Sequence, residues 1–128
     1  MSGHHRRIEY LSVADLLEIA VGVIGEVEVR DRGLLASDAG RPQSTVFGED
    51  AYPSFADKAA ALMHSLARNH PLVDGDERLA WAATRVPCLL NGRDLRYAVD
   101  EAEALVLAVG RGELEVAELA ASIDRHLR

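Results

Sequence analysis

Apolar residues return at helical spacing through most of the chain from Leu11 onward, interrupted by a few clusters of glycine, proline and polar residues. Ser12 and Asp15 stand at capping-box spacing, and Leu11 occupies the place of a staple residue. Leu16, Leu17, Ala20, Val23 and Ile24 then fall on one helical face, and Gly25 supplies a stop. This pattern predicts a helix over 12–24. A short helix is predicted over 31–39, with Leu34 and Leu35 as its apolar side and Gly40 and Pro42 as its end. Residues 42–53 have no sustained helical period. Within them Ser44-Thr45-Val46-Phe47 has β propensity, but Pro42, Gly48 and Pro53 confine it to a flap or edge strand.

The strongest helical signal follows. Ser54 and Asp57 form a second capping-box pattern, and Phe55, Ala59, Leu62, Met63 and Leu66 recur on one face. This helix should end near Asn69, because Pro71 disfavours helical backbone at His70. Another begins at Gly75 to Glu77 and runs through Leu79, Ala82, Ala83, Val86, Leu89 and Leu90 to Asn91-Gly92. Pro87 lies inside it and predicts either a kink near Ala83 to Val86 or a break into two pieces. Two more helices follow, one from Asp100 through Val109 with Glu103 completing a capping box, and one from Glu115 to Leu127. The expectation is an all-α bundle of five or six helices with a short flap segment.

A chain of 128 residues that is 48% hydrophobic suits a single domain, read here as residues 8–128 behind a short N-terminal tail at 1–7. The formal charge of −7 matters more for partners than for fold. The 14 basic residues are scattered apart from Arg6 and Arg7, so no broad cationic surface is expected and nucleic acid is a poor partner. Ala102 to Val109 is too short for a membrane span and contains Glu103, and the N-terminus carries no apolar signal core. The expected location is the cytoplasm, without membrane association. The single cysteine, Cys88, sits among Val86, Leu89 and Leu90 and reads as a buried thiol, not a nucleophile.

Candidate chemistry concentrates in His70-Pro71-Leu72-Val73-Asp74-Gly75-Asp76-Glu77-Arg78, a loop that leads into a predicted helix N-terminus. Such an N-terminus offers unpaired N–H groups and partial positive charge to phosphate oxygens, and glycine permits close backbone approach. Arg78 adds a possible bidentate phosphate contact. Read alone, these residues also have plainer roles. His70 before proline can simply end a helix, Asp74-Gly75 is an ordinary turn pair, and Arg78 can pair with Asp74 or Glu77. Asp76 and Glu77 can stabilise the free helix N-terminus. No further His or Cys falls at convincing metal-ligand spacing around His70 and Asp74.

This segment resembles the signature of the Fic/Doc (Fido) family, His-Pro-Phe-x-(Asp/Glu)-Gly-Asn-Gly-Arg, and more closely its Doc-type form ending Asn-Lys-Arg. His70, Pro71, Asp74, Gly75 and Arg78 match, and Leu72 replaces phenylalanine in what should be a core-facing swap. Flanking Tyr10-Leu11-Ser12, Arg41-Pro42, Phe47-Gly48, Tyr52-Pro53 and Lys58-Ala59-Ala60 extend the resemblance over roughly residues 8 to 127. It implies His70 as the general base toward a target hydroxyl, Asp74 as the Mg²⁺ ligand, and Gly75, Asp76, Glu77 and Arg78 as the nucleotide-phosphate site. It further implies Thr45, Val46 and Phe47 as a flap that positions the target.

Two positions depart from the pattern. Asp76 and Glu77 replace the usual asparagine and lysine, lowering the local formal charge by three and introducing carboxylates where phosphate is expected. The resemblance implies a toxin that transfers the terminal phosphate of ATP to a protein such as elongation factor Tu and is paired with a cognate antitoxin. The two departures suggest impaired activity. AMP transfer to protein and a catalytically silent binding module are the alternatives, with a helical scaffold lacking any such site behind them.

Overall fold

The computed structural model describes residues 8–128, and the expected tail at 1–7 lies outside the described residues. The helices are α1 (Val13–Ile24), α2 (Arg32–Gly40), α3 (Phe55–Asn69), α4 (Asp76–Leu90), α5 (Val99–Gly110) and α6 (Val116–His126). A 3₁₀ turn at Arg41–Gln43 and the short strands β1 (Thr45–Val46) and β2 (Glu49–Asp50) fill the stretch between α2 and α3. The fold is the all-α bundle expected.

Local capping chemistry sets several helix starts. Ser12 and Asp15 exchange hydrogen bonds at 2.9 and 3.1 Å, and Ser54 and Asp57 do so at 3.2 and 3.0 Å. Asp31 accepts from the Leu34 N–H at 3.0 Å to open α2. The start of α5 differs from expectation. It begins at Val99 with Ala98 as its cap residue, and Glu101, not Glu103, reaches back to the Ala98 N–H at 3.4 Å. Tyr97 and Leu95 pull the preceding chain inward, which fixes the helix entry ahead of Asp100.

α3 is the central helix. Ala56, Ala59, Ala60, Ala61, Leu62, Met63, Leu66 and Ala67 are all buried, so its small residues let α4, α6, α5 and α2 approach on several sides. α1 packs on α4 and α2, leaving Val23 exposed although its spacing placed it on the apolar face. Leu16, Leu35, Leu66, Leu72, Leu79, Leu119 and Ile123 are fully buried, each contributing about 1.5–3 kcal/mol of hydrophobic stabilisation.

α4 runs unbroken through Pro87, so the helix is not divided in two. The missing amide donor of Pro87 leaves the backbone bond toward Ala83 unmade. Cys88 is buried as expected, with its thiol pushed up to about 11 by burial, while neighbouring Leu89 and Leu90 are exposed.

The strands form an antiparallel hairpin with Thr45 opposite Asp50 and Val46 opposite Glu49. Its two-residue turn holds Phe47 at φ 52° and Gly48 at φ 81°, the positive pair that a type I′ turn requires. Both ends of the hairpin are tied to the bundle. Arg41 donates to the Tyr52 hydroxyl at 2.8 Å, to His64 Nδ1 at 2.9 Å and to Ser65 Oγ at 2.9 Å. Lys58 Nζ donates to Asp50 at 3.1 Å and to the Tyr52 carbonyl. The tip itself is free, with Phe47 fully exposed.

Candidate functional site

The loop from His70 to Gly75 joins the C-terminus of α3 to the N-terminus of α4, and the backbone of residues 28–31 pins it in place. The Pro71 carbonyl accepts from the Arg30 and Asp31 N–H groups at 2.8 and 3.1 Å, and the Val73 N–H donates to the Glu28 carbonyl at 2.9 Å. Leu72 is 1% exposed, so the residue in the phenylalanine position does face the core. A helix C-terminus leaves its last carbonyls unpaired. Here Arg30 donates to the carbonyls of Asn69 and His70, both at 2.8 Å, and His70 closes the helix in the left-handed conformation at φ 50°. The His70 imidazole is about half exposed.

Gly75 caps α4 at φ 90°, and a Cβ there would lie 2.5 Å from Ile24 Cδ1. Both backbone conformation and packing therefore demand glycine. Asp74 is exposed, and one of its oxygens accepts from the Gly75 N–H at 2.9 Å.

Asp76 turns inward at the first position of α4. One carboxylate oxygen accepts from the Leu72 N–H at 3.0 Å, and the other lies 3.6 Å from His70 Nδ1. Burial raises its pKa, while the Leu72 N–H bond and His70 oppose that shift. Behind it lies a second buried carboxyl, Asp38, which accepts from Asn69 Nδ2 at 2.6 Å and has its other oxygen unpartnered. Burial pushes Asp38 up to about 6, against the favourable effects of Asn69 and Arg41.

Glu77 and Arg78 point the other way. Together with Asp74 and Gly75 they line an open cleft of about 960 Å³ between α4 and α5. Trp81, Arg85, Arg96 and Tyr97 face the same space. Arg85 and Arg96 are both held by Asp94, at 3.2 and 3.3 Å. The Arg78 guanidinium has no hydrogen bond or ion pair among the described residues. Trp81 meets Tyr97 edge-on at 5.7 Å, and Tyr97 stacks on His126 at 3.8 Å.

The structure thus brings Asp74, Gly75, Glu77 and Arg78 into one cleft and places Asp76 beside His70, outside its lining. His70, Asp76, Thr45, Val46 and Phe47 are not part of the cleft lining. Sequence reasoning missed Arg30, Asp38 and the aromatic wall. Trp81 and Arg85 were within reach, since they continue the face of Arg78 at helical spacing. Arg96 and Tyr97 arrive through a tertiary approach that carries no local pattern.

With this geometry in hand, comparison with known proteins places the chain. The family model described as the Fic/DOC family matches residues 10–88, which includes the entire loop and the start of α4 through Cys88. The chain is also 48% identical over 120 residues to the protein named Toxin Doc from Mycolicibacterium smegmatis, covering 90% of this chain and 91% of that protein. Match and identity together encompass the capped helices, the hairpin and the loop between α3 and α4, and on them the chain belongs to the Fic/Doc family.

Proposed function

We propose that this protein is the toxin of a toxin–antitoxin pair, a cytoplasmic enzyme that moves the terminal phosphate of ATP onto a hydroxyl of a translation-related protein, with elongation factor Tu the candidate target. The observation that carries this reading is a single loop that holds an exposed His70 at the end of α3 and an Arg78 guanidinium without hydrogen bond or ion pair among the described residues in the first turn of α4. A base for the incoming hydroxyl and a cation for the phosphate are the two groups that in-line transfer needs from protein side chains.

In this reading His70 takes the proton of the target hydroxyl as its oxygen attacks the terminal phosphorus, and ADP leaves. Arg78 and the first amides of α4 hold phosphate oxygens. Trp81 and Tyr97 offer an aromatic wall for the nucleotide base. Among the described residues no group of three or more His, Cys, Asp or Glu side chains is placed to hold a metal. The donor set fits Mg²⁺, which takes one or two carboxylates and otherwise phosphate and water oxygens, and the second oxygen of Asp74 is available to it. Bound there, the ion would neutralise phosphate charge. The hairpin carrying Thr45, Val46 and Phe47 positions the target segment. The similarity to Toxin Doc supports the toxin role and a cognate antitoxin, and the binding mode proposed for that partner is a C-terminal segment folding into a groove of this domain.

A second reading, a catalytically silent binding module, is favoured by the exposed Glu77 carboxylate beside Arg78 in the cleft. AMP transfer is the alternative chemistry. Incubating the protein with cell lysate and γ- or α-labelled ATP in parallel separates all three. Label from γ alone supports phosphate transfer, label from α supports AMP transfer, and neither, with antitoxin still bound, supports the silent module.

A further inference from the structure

The hairpin has little of its own to hold it. Its strands are two residues each, residues 43–50 are all exposed, and its turn carries Phe47 in the left-handed region, where a non-glycine residue is strained. A two-stranded hairpin by itself is marginal in water, so its order has to come from its base. There Arg41, Tyr52 and Lys58 meet. The Tyr52 hydroxyl accepts from Arg41 Nε at 2.8 Å, and the guanidinium carbon lies 5.4 Å from the centre of the same ring. α3 fixes that guanidinium from the other side, because its Nη1 donates to His64 Nδ1 and Ser65 Oγ, both at 2.9 Å. Lys58, also on α3, is only 5% exposed, and both side-chain partners of its ammonium lie at the end of the hairpin: Asp50 at 3.1 Å and the Tyr52 carbonyl. A buried ammonium is costly unless paired, so burial of Lys58 requires the hairpin end to stay where it is.

We infer that Arg41, Tyr52 and Lys58 are positioning residues for the protein substrate, a two-cation clamp that fastens the hairpin to α3 and presents Thr45, Val46 and Phe47 in one orientation. The inference rests on the reading of the hairpin as the element that positions the target. The Ser44 N–H bond to the Arg41 carbonyl at 3.0 Å and the Ala51 N–H bond to the Ser44 carbonyl at 2.9 Å carry the constraint from the clamp into both strands. A binding element ordered beforehand loses less entropy when its partner arrives, so the clamp contributes to affinity for the protein without touching it. None of the three residues lines the cleft between α4 and α5. Loss of the clamp should therefore weaken the encounter with the target and spare the handling of ATP.

The test combines Tyr52→Phe, which deletes only the hydroxyl, with Lys58→Met, which replaces a buried cation by an apolar chain that a core accepts. Backbone nitrogen relaxation should give residues 45–50 order parameters near the rigid value of about 0.85 in the unmodified protein and below about 0.6 in the double variant, with α3 and α4 unaltered. In γ-labelled ATP assays with purified elongation factor Tu as the protein substrate, KM for that protein should rise on the order of tenfold, while kcat and KM for ATP change little. General destabilisation would instead shrink the active fraction, lowering kcat and leaving both KM values alone. Unaltered order at 45–50, or an unchanged KM for the protein substrate once that order is lost, overturns the inference and leaves the transferase reading intact. Should the order fall as stated while the unmodified protein labels neither elongation factor Tu nor any protein of a cell lysate, the clamp stands and the transferase reading falls.

Discussion

Arg30 Nε donates to the His70 carbonyl at 2.8 Å, so a residue from the chain between α1 and α2 sets the backbone of the residue read as the base. Left-handed backbone costs a non-glycine residue about 1–2 kcal/mol, and the Arg30 contacts help to hold it. Arg30→Ala should destabilise the protein by about 1–3 kcal/mol in urea unfolding, because two carbonyls lose a charged donor. It should lower kcat more than it raises KM for ATP, since the cleft is built from other residues. Unchanged stability would show that water replaces the guanidinium without loss.

Gly75→Ala tests the start of α4. The new Cβ would sit 2.5 Å from Ile24 Cδ1 and at φ 90°, so a packing clash and a backbone strain add. The expected loss is about 2–4 kcal/mol, of which overpacking is roughly half. Ile24→Ala in the same chain should relieve the packing part alone, so in thermal unfolding the double variant should lose less than the two single losses summed. Simple additivity would mean that Ile24 does not enforce glycine here.

These positions also show how far the sequence reaches. The caps of α1 and α3 were legible because Ser12 with Asp15, and Ser54 with Asp57, interact three residues apart. Pro71 announced the end of α3 by local sterics alone. Asp38 was not legible, since the partner that makes it a core residue, Asn69, is 31 positions away. Periodicity likewise marks Asp76 as polar without saying that it turns inward toward His70, while adjacent Glu77 turns to the cleft. Val23 fits the apolar stripe of α1 yet is exposed, because α2 and α4 cover only part of that face. The cleft was half legible: Arg78 belongs to a recognisable loop, whereas Arg96 and Tyr97 join it from beyond α4.

Asp38 should leave a signature in the pH dependence of stability. Its carboxyl is raised from 3.8 to about 6 in the folded protein, so over that interval the folded state binds more protons than the unfolded state. Its contribution is therefore most favourable below 3.8 and is lost as pH rises through about 6. The full shift corresponds to about 3 kcal/mol, an upper bound given the neighbouring Arg41 and Asp76 charges. Asp38→Asn keeps an acceptor for Asn69 and removes the titration. Relative to the unmodified protein it should gain stability in urea between pH 4 and 7. A constant difference between the two across that range would show that Asp38 does not titrate there.

The last prediction concerns Glu77, the carboxylate that shares the cleft with Arg78. A carboxylate at ~5 Å repels one phosphate charge by roughly 3 kcal/mol at an effective dielectric of ~20, equivalent to about a hundredfold in affinity. Glu77 is exposed, so solvent and salt reduce that figure. Glu77→Lys should therefore tighten ATP binding on the order of tenfold at low salt, measured by calorimetry, with the gain shrinking as salt is added. Asp76→Asn should change ATP affinity far less, because its carboxylate is buried against Leu72 and His70 and does not line the cleft. The two departures from the family pattern are thus separable, since Glu77 lines the cleft and Asp76 does not. Adding His70→Ala to Glu77→Lys should abolish transfer and leave the improved binding intact, since a general base acts on the target hydroxyl and not on nucleotide affinity. If Glu77→Lys leaves low-salt affinity unchanged, Arg78 is not the phosphate cation and the cleft between α4 and α5 is not where ATP binds.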